Sequence, residues 1–225
     1  DVTLKVDLVG WGPDVEGLTL GGKGEPTTAS SFTYSKPISY VGSALMTIHQ
    51  APGTPAPAGV APNTSPVEPE LAKLREKDTS IVALAKLPAG SRRVTVLVAP
   101  AASGTFQTVV IDDDPSKLPF GQLRIHNYSP MKIAVKCNNK AATELKTRQS
   151  VLAPAVDEEV FYELAYDDNG KWEVQENNLV TVKKDQQVQF IVLKSDDKFF
   201  TSSDGSRSGF LQTLVLRRPK ETATP

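Results

Sequence analysis

The chain has 225 residues and a mass of 24.2 kDa, room for one large domain or two ordinary ones. Its 25 basic and 26 acidic residues nearly cancel, with 9 of each sign over residues 1–111 and 16 against 17 over 112–225. Neither half has the basic excess that phosphate neutralisation needs, so no nucleic-acid partner is expected. The single cysteine, Cys137, excludes an intrachain disulfide and a thiolate cluster, and two histidines, His49 and His126, are too few for most His-rich metal sites.

In chain order the signals are those of strands. Val2, Leu4, Val6 and Leu8 alternate with Thr3, Lys5 and Asp7, which describes a strand with one buried and one wet face. Gly12-Pro13 marks the turn that ends it. Further strands are expected at 15–20, 31–34, 44–49, 80–87, 92–98 and 105–111, and then at 122–127, 132–138, 160–166, 172–175, 179–183, 186–193 and 210–217. Val, Ile, Thr and aromatic residues gather in these pieces, as pleated half-buried surface requires. Only residues 70–77 read as helical, with Pro69 in the first turn and Leu71 and Leu74 forming a short apolar edge. No run reaches the ~20 apolar residues that span a bilayer as a helix.

Residues 51–69 hold six of the seventeen prolines and no aromatic residue. Proline removes backbone donors, so this stretch is expected to be a surface excursion and not part of a sheet interior. The Asp112-Asp113-Asp114-Pro115 segment reads as the junction between domains. The expected fold is therefore all-β: two tandem antiparallel β-sandwich domains of immunoglobulin-like type, at 1–114 and 119–218, with at most one short helix and a polar tail at 219–225.

The halves read as a duplication. Pro13 and Pro130, which follow the first strand of each half, are 117 residues apart, as are Pro37 and Pro154. Placing Leu87–Val94 over Thr181–Val188 gives an offset of 94, and 107–111 over 212–216 gives 105. The offset changes across the Pro-rich excursion and across the 194–209 loop, where a duplicated fold tolerates insertions.

The run from Gly121 to Pro130, with the strand Ile133-Ala134-Val135-Lys136 beyond it, resembles exported bacterial β-sandwich proteins of unknown function. Leu87-Pro88-Ala89-Gly90 and Asp112-Asp113-Asp114-Pro115 belong to the same resemblance, which spans residues 80–216. It implies a sandwich fold and export, and it transfers no catalytic residue. A first residue of Asp1 and not Met fits a removed leader, so an exported location is expected: periplasm, cell surface or medium.

Asp112, Asp113 and Asp114 lack the spacing of a calcium loop and read as a solvated junction. On a hairpin turned at Ser129-Pro130, Cys137 is expected in the core and His126 in solvent or an interface, so they form no nucleophile–base pair. Asp168-Asn169-Gly170 signals a hairpin. Trp11 and Trp172 fit either sugar-stacking platforms or buried sandwich tryptophans. The loop 199–210 carries the candidate binding residues Phe199, Phe200, Asp204 and Arg207, because two adjacent aromatics cannot share one face of a strand. No catalytic residue, metal or cofactor is expected. The expected role is that of a non-enzymatic structural or interaction module of the bacterial cell envelope, with an unidentified protein or glycan as partner. A carbohydrate-binding module and a carboxylate-based hydrolase are the alternatives.

Overall fold

Alternating side chains give each strand one face to bury, and in this protein pairs of sheets bury those faces against each other. The computed structural model describes residues 1–54, 67–114, 116–194 and 211–219. The chain divides into two compact units, Asp1–Lys117 and Leu118–Pro225.

In the first unit the strands are β1 (Val2–Gly10), β2 (Val15–Leu20), β3 (Lys23–Ala29), β4 (Ile38–Gly42), β5 (Leu45–Gln50), β6 (Ile81–Lys86), β7 (Arg93–Pro100) and β8 (Phe106–Asp112), with helix α1 (Pro69–Arg75) between β5 and β6. They form two sheets, ordered β4-β1-β7-β8 and β3-β2-β5-β6. Leu4, Val6, Leu8, Val94, Val96 and Val98 of one sheet share a core with Leu18, Leu20, Met46, Ile48, Ala83 and Ala85 of the other. Pro69 opens α1, where a missing N–H costs nothing, and Leu71 packs with Leu74 against Leu45, Ile81 and Leu84.

The second unit holds β9 (Gln122–Asn127), β10 (Ile133–Cys137), β11 (Thr143–Leu145), β12 (Ser150–Pro154), β13 (Glu159–Asp168), β14 (Lys171–Thr181), β15 (Gln186–Lys194) and β16 (Leu211–Pro219). Its sheets are ordered β12-β9-β15-β16 and β11-β10-β13-β14. Leu123, Ile125, Val188, Phe190 and Val192 meet Ile133, Val135, Val160, Leu164 and Val180 in the core. Phe190 stands edge-on to Tyr162, with ring centroids 4.7 Å apart.

Adding eight to every strand number converts the first unit into the second, so the two repeat one topology. Among the described residues the named strands pair antiparallel except for one parallel pair in each unit, β1 with β7 and β9 with β15. Within these pairs Val6 faces Val94 and Leu123 faces Val188, which carries the offsets of 117 and 94. Thr95 faces Ile111 and Gln189 faces Leu216, which carries the offset of 105. Two of the sequence equivalences shift. Val6 pairs with Ile38 and Leu123 with Ala153, so Pro154 lies two places beyond the counterpart of Pro37. Leu87 donates its N–H to Ala44 O and Val182 donates to Glu158 O. Buried Leu87 therefore corresponds to buried Val182 and not to Thr181, and the first unit has one more turn residue before β7.

Three local expectations are corrected. Residues 31–34 are not a strand; β3 and β4 flank them instead. Segments 172–175 and 179–183 are one strand, β14, whose register against β13 shifts between Leu164 and Ala165. The turn at Ser129-Pro130 joins two sheets and is not a hairpin, because β9 and β10 lie in different sheets. Asn127 secures that arch: its amide nitrogen donates to Met131 O (2.7 Å) and Leu145 O (2.9 Å), and its oxygen accepts from the Ser129 N–H and hydroxyl.

Candidate functional site

Four side chains anticipated as a binding loop, Phe199, Phe200, Asp204 and Arg207, lie outside the described residues, as do residues 55–66 of the Pro-rich stretch. The described surface offers a different place, the outward face of β11-β10-β13-β14. Along β13 the buried residues Val160, Tyr162, Leu164 and Tyr166 alternate with Phe161, Glu163, Ala165 and Asp167, which must point the other way. Register then fixes the rows across the sheet. Phe161 faces Leu179, Glu163 lies between Lys136 and Asn177, Ala165 lies between Ala134 and Val174, and Asp167 faces Trp172.

Four large apolar side chains on this face reach solvent: Phe161 is 54% exposed, Val174 61%, Leu179 42% and Trp172 39%. Scattered apolar residues are ordinary on a surface, but these sit on two adjacent strands of one sheet. Asn169 and Gly170 adopt positive φ in the two-residue turn that closes the β13–β14 hairpin, as the Asp-Asn-Gly signal implies. Lys132 organises the Trp172 end. Its ammonium lies 3.1 Å from Glu144, 3.7 Å from Asp167 and 5.0 Å from the centre of the Trp172 ring. Glu144 foremost, with Asp167, raises the Lys132 pKa. A cation already occupies one face of the indole.

A groove of about 560 Å³ lies at one end of the second unit, lined by Phe120, Gly121, Ala155, Asp157, Glu158, Val182 and Lys184. Its two carboxylates are neighbours on an exposed turn, where both residues have positive φ. Glycoside hydrolysis needs one carboxyl walled off by apolar surface, and neither of these is.

The acidic junction is not solvated. Asp113 is 0% and Asp114 4% exposed. Thr95 donates to Asp113 (2.6 Å), Arg92 Nε donates to Asp114 (3.1 Å), and Ser91 and Lys117 donate to Asp112. Arg92 above all, with the Ser116 N–H, holds the Asp114 carboxyl well below the ordinary carboxylate range. Buried carboxylates need such donors, and here they lock the β7 and β8 ends together.

His126, expected in solvent or at an interface, is 5% exposed. Arg124 Nε donates to its Nε2 at 3.1 Å, the Gln189 side-chain amide lies 2.8 Å from the same nitrogen, and Tyr128 stacks on the ring. Cys137 is half-buried against the core between the sheets, and burial raises its thiol pKa. The strands bearing these two residues lie in different sheets. No protein-family description matches this chain, and no curated protein matches it in sequence.

Proposed function

We propose that this chain is an exported structural or interaction module of the bacterial cell envelope, and that it binds a partner protein through the outward face of β11-β10-β13-β14. The observation that carries this reading is the apolar set Phe161, Leu179, Val174 and Trp172, exposed on a sheet that a complete core holds rigid from behind. A rigid scaffold presents such side chains without an ordering cost at the moment of binding. The polar row Lys136–Glu163–Asn177 between the apolar ends supplies register for a partner, as polar groups at interfaces do. A protein is favoured over a glycan because Lys132 covers one face of Trp172, leaving less open ring for a sugar to stack on.

The test combines cross-linking in intact cells with a glycan array. Phe161→Glu combined with Val174→Glu is expected to abolish an envelope-protein cross-link while leaving the melting temperature of the purified protein within a few degrees. Retention of every cross-link, or a glycan signal lost in Trp172→Ala, would overturn the protein-binding reading. Export is tested by fractionating cells that make the full-length protein: recovery with cytoplasmic markers rejects it.

A further inference from the structure

Within the first unit, a chain of polar side chains crosses the outward face of β3-β2-β5-β6. Met46 and Ile48 are buried, so Thr47 and His49, which alternate with them on β5, face outward. Thr47 Oγ1 lies 2.9 Å from His49 Nε2. On the other side of the ring Nδ1 lies 2.9 Å from Ser80 Oγ and 3.6 Å from Asp78 Oδ2. Ser80 in turn donates its hydroxyl to Asp78 Oδ1 at 2.6 Å, and its backbone N–H donates to the same oxygen at 2.9 Å.

With His49 neutral, as a general base must be, these contacts fix the direction of each proton. The two Ser80 donors hold the Asp78 carboxyl below its ordinary range, so it is ionised and can only accept. Ser80 therefore spends its hydrogen on Asp78, and its oxygen is left to accept from Nδ1–H. Nε2 is then the bare nitrogen, and Thr47 must donate to it. A hydroxyl bonded to an unprotonated imidazole whose far side is oriented by a carboxylate is the arrangement that activates an oxygen nucleophile.

The surroundings hold this arrangement in place. The His49 side chain is only 14% exposed. Gly22, at φ +67°, lies so close to the ring that a Cβ there would stand 3.2 Å from His49 Cε1. Thr47 is paired with Leu84, which belongs to the apolar cluster of Leu45, Leu71, Leu74 and Ile81 under α1. Thr47 thus stands between the base and the edge of this apolar cluster, where Leu45 and Leu74 are only partly buried. Asp78 and Ser80 come from the turn that leads out of α1 into β6, so the helix sets their position.

We propose that Thr47 is an acyl acceptor, with His49 as its general base and Ser80 and Asp78 as positioning residues, acting on esters whose acyl group is apolar. Thr47 Oγ1 attacks the carbonyl carbon while His49 Nε2 takes the hydroxyl proton. A new ester bond to Thr47 forms, the bond to the original alcohol breaks, and Nε2 returns the proton to the departing alkoxide. The products are acyl-Thr47 and a free alcohol, with no oxidation or reduction. This site lies in the other unit from the binding face, and either proposal survives the failure of the other.

The probe is p-nitrophenyl butyrate, read by nitrophenolate release and by peptide mapping of the acylated protein. The expected result is one butyryl group on Thr47, retained in Thr47→Ser and absent from Thr47→Val. His49→Gln is expected to slow acylation by about 10²-fold or more, the usual share of a general base. Ser80→Ala is expected to slow it less and to convert the Nδ1–H tautomer of His49, read by long-range ¹H–¹⁵N NMR, into a mixture. Melting curves identify any variant that has lost its fold, and Thr47→Ser then carries the comparison with His49→Gln. Label confined to lysines, equal rates in wild type and Thr47→Val, or a folded His49→Gln that reacts at the wild-type rate would overturn the proposal.

Discussion

A buried histidine among polar neighbours sets the pH response of the second unit. Burial first, and the charge of Arg124 next, lower the His126 pKa from its ordinary 6.5 to about 3. Below pH 6.5 the unfolded chain takes up a proton that the folded chain refuses. The stability that neutral His126 represents is therefore complete above about pH 6.5 and is lost as pH falls toward 3, on the order of a few kcal/mol in all. His126→Gln removes this slope. Urea unfolding from pH 7 to pH 3.5 checks it: wild type and variant should converge as the pH drops, and parallel curves would contradict the assignment. The sequence placed His126 on the correct face of its strand but not its burial, because alternation identifies a face and says nothing about what covers it. The same blindness applies to Asp113 and Asp114, whose partners Thr95 and Arg92 are about twenty residues away in the chain. Asn127 and Ser129, part of the motif that carried the resemblance, turn out to secure an arch between sheets, a structural duty.

Helix α1 couples the core of the first unit to the polar chain on its surface. Leu71 is its one buried residue, 3% exposed, and its packing on Ile81 and Leu84 holds the following turn where Asp78 and Ser80 meet His49. Seven residues are too few for a helix to persist by propensity, so tertiary packing must hold it. Leu71→Ala should cost about 2–4 kcal/mol. Hydrogen exchange should also quicken first in α1 and its trailing turn, with β1 and β7 little changed; uniform quickening would show that the helix has no local role. Strands differ in how well a sequence announces them, for a related reason. The four that alternation failed to reveal are β3, β4, β11 and β12, and each lies at the edge of a sheet. Each buries a single residue, respectively Ala29, Tyr40, Leu145 and Ala153. An edge strand with one buried side chain has almost no period to detect, and Pro26 and Pro154 are tolerated there because an edge has a backbone side with no ladder to break. The missed strands are counterparts of one another, so the duplicated fold hides the same elements twice.

At the scale of the whole chain, the repeated topology was legible because core strands keep their spacing while turns absorb the insertions. Offsets of 117, 94 and 105 survive in the registers of the parallel pairs and their neighbours. The Thr47–His49 chain was not legible, because its members come from β5 and from a turn some thirty residues later, with the Pro-rich stretch between them. The outward face of β13 and β14 was half legible: Trp172 was singled out, whereas Phe161 was only one position of the strand expected at 160–166, and its outward direction follows from its alternation with buried Val160 and Tyr162 and its register against Leu179. Two separate cores predict two separately addressable stabilities, and the sequence supplies the probes, since Trp11 lies in the first unit and Trp172 in the second. Phe190 is 1% exposed and packed edge-on against Tyr162. Phe190→Ala should cost about 3–5 kcal/mol, the usual sum of lost transfer energy and cavity. Measured in single-tryptophan variants, that loss should displace the urea transition reported by Trp172 more than the one reported by Trp11, and Met46→Ala should do the reverse. Equal displacement of both probes by either substitution would mean that the two cores melt as one cooperative body, whatever their shared topology.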